Sequence, residues 1–243
     1  MKKLIGLLAA GLLILFSVPS YAYQMYQRVQ VKPVIIQGVA EISSLGKDVK
    51  EEDEGNILKA YNVDVHQVNI NDAAAKFNGV NLVQYVPTND NIAGASVEQK
   101  FYKVKVAILS KNKGKAFVVF AGKSASYKII LDADKKLVSI EEYQSGGLVK
   151  SWEKSFNIRL YKVYQIYFYD EGASYASDRG KIEIEEYSSN NGVSFSTVNV
   201  IESSLNDLKL DPISDDELFD FFVGAESSAV TFFDEEIRIF SDV

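Results

Sequence analysis

The sequence contains no cysteine, one histidine (His66), one tryptophan and four prolines in 243 residues. Without cysteine there is no disulfide, no thiolate metal ligand, no thiol nucleophile and no lipid-modified cysteine, so the fold must be held by its packed core. A single histidine excludes a multi-histidine metal centre. A Ser-His-Asp arrangement would have to be built around His66, which lies in a predicted strand with nothing nearby to support it. Phosphate-loop, calcium-loop and penicillin-binding motifs also fail. Gly122-Lys123-Ser124 has Phe117 where a phosphate loop needs glycine, and Asp132 and Asp134 begin a calcium loop that Lys136 breaks. Ser44/Lys47, Ser110/Lys113 and Ser151/Lys154 keep a Ser-x-x-Lys spacing without the Ser-Asp-Asn and Lys-Thr-Gly companions. No cofactor or metal site is read from these residues.

Long apolar runs are scarce too. The first residues carry Lys2 and Lys3, an apolar run from Leu4 to Phe16, Pro19, and small residues at Ser20 and Ala22. That is the layout of a secretory signal peptide cut after Ala22, and the run is shorter than the roughly 20 residues of a membrane-spanning helix. The expectation is an exported chain, in the periplasm or on the cell surface, whose mature part has no transmembrane helix.

Charge is present in both signs but unevenly placed within a net of −7. Residues 101–162 hold 13 Lys/Arg against 5 Asp/Glu, whereas 202–243 hold 2 against 12. The simple reading is that these are solvated faces that attract one another when the acidic tail packs on the middle of the chain. The sharper reading is a basic face, carried by Lys103, Lys105 and Lys128, offered to an anionic cell-envelope component. Nucleic acid is excluded as a partner for an exported chain of net negative charge.

What the sequence has in quantity is strand. Tyr102, Val104, Val106 and Ile108 alternate with Lys103 and Lys105, which puts apolar groups on one face and ammonium groups on the other. Ala116–Ala121, Tyr127–Leu131, Leu137–Tyr143 and Leu148–Trp152 follow as short strands. Gly114, Asp132-Ala133-Asp134 and Gly146-Gly147 supply the reversals between them. Ser155–Tyr169 reads as the longest strand, with Phe156, Ile158, Leu160, Tyr164, Ile166 and Phe168 on one face. Lys181–Tyr187 and Val193–Ile201 form a further hairpin.

On the N-terminal side, Pro33 marks the stretch 23–40 as an edge strand or two short strands. Residues 47–62 are open between a helix and an acidic surface loop. Asn71 caps a short helix predicted to Phe77, and the loop 88–94 is the natural boundary. Near the C-terminus, Ser214 and Glu217 have capping-box spacing, predicting a helix through Leu218, Phe221 and Phe222 that Gly224 ends. A last strand spans about 229–240, interrupted by Asp234-Glu235-Glu236.

These elements give a mainly β chain, a β-rich α+β fold. An antiparallel meander forms a sandwich or partly open barrel with a few short helices. Its parts are a signal peptide (1–22), an N-terminal mixed α/β segment (23–95) and an antiparallel β-domain with a C-terminal helix and strand (96–243). The functional reading is an exported non-catalytic bacterial envelope protein with a binding or structural and assembly role, its partner an anionic envelope component or another envelope protein. A small outer-membrane β-barrel is the alternative. A hydrolase of wall polymer using a pair among Glu141, Glu142, Glu183, Glu185 and Glu186 ranks last. Trp152, Tyr161, Tyr164, Tyr167 and Tyr169 are the candidates for a sugar-stacking platform, and strand aromatics more often fill a core.

Overall fold

The structure is a computed structural model and describes residues 25–53, 56–71, 80–88, 99–109, 114–123, 125–170, 181–189, 195–204 and 219–241. Among these residues there are strands and no helix. In chain order they are β1 (Met25–Val29), β2 (Val31–Gln37), β3 (Glu41–Asp53), β4 (Asn56–Ile70), β5 (Val80–Pro87), β6 (Gln99–Ile108), β7 (Lys115–Ala121) and β8 (Ser126–Asp132). They continue as β9 (Leu137–Gln144), β10 (Gly147–Ser155), β11 (Val163–Asp170), β12 (Lys181–Ser189), β13 (Phe195–Ser204), β14 (Asp220–Glu226) and β15 (Val230–Ser241).

Two antiparallel sheets form a sandwich-like fold. The first runs β13-β12-β11-β6-β15-β4-β3, with β1 paired to the far half of β15, and the second runs β10-β9-β8-β7-β14-β5-β2. Each sheet therefore combines strands from before and after residues 88–94, with β4 paired to β15 in the first and β5 paired to β14 in the second. The period of two decides what faces inward. Tyr102, Val104 and Val106 of β6 and Tyr164, Ile166 and Phe168 of β11 face Phe120, Tyr127 and Phe221 of the second sheet. Ring contacts join the layers: Phe120 stacks on Phe168 at 4.5 Å between centroids, Tyr102 lies 5.3 Å from Phe120, and Tyr127 lies 5.7 Å from Phe168. A membrane barrel is one closed sheet with apolar residues facing outward. These two open sheets enclose theirs.

Several local expectations hold. Asp132 Oδ1 accepts from the amides of Asp134 (3.0 Å) and Lys135 (2.8 Å), which fixes the β8–β9 reversal. Ser145 and Gly146, both at positive φ (51° and 80°), form the two-residue loop of the β9–β10 hairpin, the geometry that suits the right-handed twist of paired strands. Pro33 lies on β2, the edge of the second sheet. The hydrogen bond from the Thr88 amide to the Gln30 carbonyl (2.8 Å) sets the register so that the nitrogen of Pro33 faces away from β5. The missing donor thus falls on the open edge, where it discourages further pairing.

Others are corrected. Residues 220–224 are not helical: they belong to β14, which pairs with β5 on one side and β7 on the other. Phe221, Val223 and Ala225 alternate into the core, and Gly224 faces out beneath the ring of Phe117. The capping residues Ser214 and Glu217, and residues 72–77 of the other predicted helix, lie outside the described residues. Residues 47–62 are neither helix nor loop where described, but parts of the long β3–β4 hairpin, paired from Glu41↔Asn69 to Asp53↔Asn56. The long strand from Ser155 to Tyr169 is broken. β10 ends at Ser155 at the edge of the second sheet, β11 begins at Val163 within the first, and 156–162 carry the chain across. Phe156 and Ile158 stay buried through the crossing, and Tyr161 takes φ 62° where the chain turns. The stretch around Gly114 is also no hairpin, since β6 and β7 lie in different sheets.

Candidate functional site

The side chains with chemical capacity gather on the outer face of the first sheet, and the strand register aligns them in rows. One row runs Arg28 (β1), Arg238 (β15), Phe101 (β6) and Tyr169 (β11). The next runs Glu236, Lys103, Tyr167 and Glu183, and Lys105, Gln165 and Glu185 form a third. Directly opposed residues on neighbouring strands have Cβ atoms about 5 Å apart, so each row is a line of touching side chains. Phe101 and Tyr167 are tilted against each other with centroids 5.6 Å apart. Gln165 donates to the hydroxyl of Tyr167 and to Glu185 Oε2 (3.0 Å), which fixes the tyrosine beside its row. Phe101, Tyr167 and Tyr169 are half-buried. Every described strand belongs to one of the two sheets, and the second sheet lies on the opposite, core side of the first.

The rows end at a fork in the sheet. Along one edge, β15 pairs with β4 through Phe232 and with β1 from Ile237 onward. Between them the register of β15 against β6 slips by one residue, and Asp234 takes φ 55°. This is a β-bulge, with Asp234 and Glu235 opposing Val104. Side chains complete what the ladder lacks at the fork. The amide of His66 donates to both carboxylate oxygens of Glu235 at 2.9 Å, His66 Nδ1 lies 2.7 Å from Glu235 Oε1, and Arg28 donates to the carbonyl of Glu235 at 3.3 Å.

Asp234 and Glu236 point outward and hold five cations between them. Lys47 and Lys105 (2.6 Å) bind Asp234, while Lys103, Arg238 and Arg28 (3.5 Å) bind Glu236. Arg28 and Arg238 are directly opposed, an unfavourable pairing of like charges that Glu236 offsets by binding both. Burial pushes the Asp234 carboxyl up, but Lys105 and Lys47 outweigh it and hold it below its ordinary value. Glu236 behaves alike: burial raises it, and Lys103, Arg238 and Arg28 bring it below. For Glu235 burial wins over the His66 hydrogen bonds, and its carboxyl is held above the ordinary value. The Tyr85 hydroxyl, buried and without a hydrogen bond, is driven well up by burial and then by the charge of Glu235.

The residues expected from sequence to act together are divided. Lys103 and Lys105 sit on this face, each against a carboxylate. Lys128 is on the outer face of the second sheet, with Nζ 4.5 Å from the ring centre of Phe117 and Glu141 directly opposite. Of the expected aromatic platform, Tyr167 and Tyr169 lie on the outer face of the first sheet. Tyr164 is in the core, Tyr161 is exposed in the crossing, and Trp152 is partly buried at the edge of the second sheet. Among the carboxylates, Glu183 and Glu185 share the outer face of β12. Glu142 and Glu186 point inward, against Lys150 (3.5 Å) and Arg159 respectively. Glu141 accepts from the Tyr143 hydroxyl at 2.7 Å, and this bond, with burial and the charge of Glu141, pushes that hydroxyl up to about 12. Sequence reasoning missed Phe101, Arg28, Arg238 and the acidic triplet as one site. The available signal was three consecutive acids interrupting an apolar strand.

Among the described residues no group of three or more potential ligands could hold a metal ion. No protein-family model matches the chain, and no curated protein matches it. Solved structures similar to it include an alginate lyase from Aplysia kurodai, at 11% identity over 74% of this chain and 83% of that one, with a TM-score of 0.45. The lectin UEA-II complexed with galactose is similar at 11% identity over 89% and 98%, TM-score 0.43. The carbohydrate binding module CBM66 from Bacillus subtilis is similar at 15% identity over 80% and 94%, TM-score 0.39. Likeness of this degree assigns the chain neither to a family nor to a ligand.

Proposed function

We propose that this protein is an exported, non-catalytic binding module that holds a saccharide of the cell envelope on the outer face of its first sheet. The observation that carries this reading is the placement of Phe101, Tyr167 and Tyr169. Three half-buried rings lie side by side on a sheet face among in-register Lys, Gln and Glu side chains. Aromatic faces take the apolar face of a sugar ring, and the flanking polar groups take its hydroxyls. Lys103 and Lys105 belong to this site and Lys128 lies outside it. Residues 1–22, read as a signal peptide, support export.

The test is retention on immobilised polysaccharides, with the Phe101→Ala/Tyr167→Ala double variant as the comparison. Both rings lie outside the core, so the variant is expected to fold. Wild type should be retained by at least one polysaccharide and the variant should pass through. Equal retention of the two proteins would show that the face is not the site.

A further inference from the structure

The large apolar side chains exposed among the described residues are concentrated at one edge of the sandwich. Of eleven, six (Val34, Ile35, Ile36, Val39, Ile42 and Leu45) fall within residues 34–45, which end β2, link it to β3 and begin β3. β2 is the edge of the second sheet and β3 the edge of the first. β2 lies against β4, the neighbour of β3, so the two edges are on the same side of the molecule. Ile35 pairs with Val83 and Ile42 with Val68, which gives both isoleucines inward register positions. Val83 and Val68 are fully buried, yet Ile35 is 42% and Ile42 38% exposed. Core positions are open to water at this edge.

The two edge strands differ in their backbones. β2 carries Lys32, Pro33 and a bulge, and Pro33 offers no donor to the open side. β10, the other edge of the second sheet, carries Lys150, Lys154 and a bulge. From Ile42 to Gly46, β3 has no proline, no charged residue and no bulge. The amide of His66 is turned to Glu235 of β15, so His66 and its partner Ser44 form a non-hydrogen-bonded pair. The amides and carbonyls of Ile42, Ser44 and Gly46 therefore point out of the sheet, with no described strand beyond them. An edge of this kind is a template for another strand.

The charges that bracket the run select the strand that fits. Glu41 precedes it and Lys47 follows it, both at outward register positions. An antiparallel copy of the same strand, related by a two-fold axis at Ser44, sets Glu41 opposite Lys47 of the second copy and Lys47 opposite its Glu41. Ser44 then meets Ser44, and Ile42 meets Gly46, as hydrogen-bonded pairs through the outward amides and carbonyls. Between residues 41 and 47 no like charges are opposed. Lys47 can take part while bound to Asp234, since 42% of its side chain is exposed.

We propose that β3 is a homodimerisation edge. It pairs antiparallel with β3 of a second copy about Ser44, so the first sheet runs through both copies. Ile35 and Ile42 of each copy close against those of the other beneath it. The inference does not depend on what the outer face binds.

The experiment is sedimentation velocity of the full chain, as processed by the expressing cell, over a concentration series, repeated for Ser44→Pro. Wild type should show a dimer that grows with concentration. Ser44→Pro removes an outward donor from each copy without touching the β3–β4 ladder, and two lost hydrogen bonds should weaken the dimer at least about tenfold. Thiol cross-linking gives a second readout that does not need the proline variant to fold. The chain has no cysteine, so Ser44→Cys and Ser151→Cys, the latter exposed on β10, each carry a single thiol. Directly opposed hydrogen-bonded residues have Cα atoms about 5.5 Å apart, within disulfide reach. Mild oxidation should join two chains through Ser44→Cys and not through Ser151→Cys. A wild type that stays monomeric at every concentration would overturn the inference, in favour of cover from residues 72–79 of the same chain or from another protein. A dimer that Ser44→Pro leaves as tight as before, or that cross-links through Ser151→Cys instead, would overturn it by placing the contact elsewhere.

Discussion

Gly224 is the position where one missing atom matters most. It lies in the middle of β14, opposite Phe117 on one side and Leu82 on the other. A Cβ built there would stand 2.4 Å from Phe117 Cζ and 2.5 Å from the backbone oxygen of Asn81. The first neighbour is a ring packed under Lys128 and the second is main chain, so neither yields cheaply. The glycine that reads as a helix stop in the sequence is instead a seat for an aromatic ring, which covers backbone that a glycine leaves bare in a sheet. Gly224→Ala should therefore destabilise the protein by about 1–3 kcal/mol, the usual cost of overpacking. Urea unfolding measures it: a midpoint equal to that of wild type would mean that Phe117 moves aside freely.

At the scale of elements, β15 does the most. It pairs with three strands, and its bulge puts three consecutive acids into three different situations. Asp234 and Glu236 are held below their ordinary values of 3.8 and 4.5, so at both sites the unfolded chain binds a proton more readily than the folded one. Their contribution is complete above the ordinary carboxylate range and is lost as pH falls below 4.5 and 3.8 toward the depressed folded values. Glu235, held above its ordinary 4.5, acts in the opposite sense, and its ionisation costs stability as pH rises past that value. An Asp234→Asn/Glu236→Gln variant should be less stable than wild type at pH 7 by about 2 kcal/mol, in the range of hydrogen bonds to charged groups. That gap should begin to narrow as pH falls through 4.5 and 3.8 and go on narrowing below them, read from urea midpoints over a pH series. A gap that stayed constant would show that the two carboxylates do not carry the linkage.

The elements also show what a sequence can reveal. Tyr102–Ile108 was legible because strict alternation fixes both strand and face, and the Asp132 turn because its hydrogen bonds are local. The crossing at 156–162 was not, since Phe156 and Ile158 keep the burial rhythm of the following Tyr164 and Ile166. Periodicity reports which residues are buried and says nothing of which sheet buries them. Phe221 and Phe222 fit a helical stripe as well as a strand, and only pairing with β5 and β7, far away in sequence, decides between them. The binding face was hidden for the same reason. Arg28, Arg238 and Phe101 meet through register across 210 positions of chain, whereas Lys128, similar to Lys103 in its local pattern, falls on the opposite outer face.

At the scale of the whole molecule, both sheets depend on the latest strands in the chain. β14 sits between β7 and β5, and β15 sits between β6 on one side and β4 and β1 on the other, so each sheet joins early and late segments around one aromatic core. The result has two outer faces of different character. That of the first sheet carries Phe101, Tyr167 and Tyr169 beside a cluster of five cations. That of the second carries Lys128 over Phe117 and the Tyr143–Glu141 pair. The central claim is that the first of these faces is where the protein binds. Two-dimensional amide NMR of the isotope-labelled protein, titrated with an oligosaccharide of the polysaccharide that retains it, tests it most directly. The account predicts progressive shifts of amides in β6, β11 and the 234–238 segment of β15, with β7, β8 and β9 unmoved. Shifts confined to β7–β9 would contradict it and place binding on the other side of the sandwich.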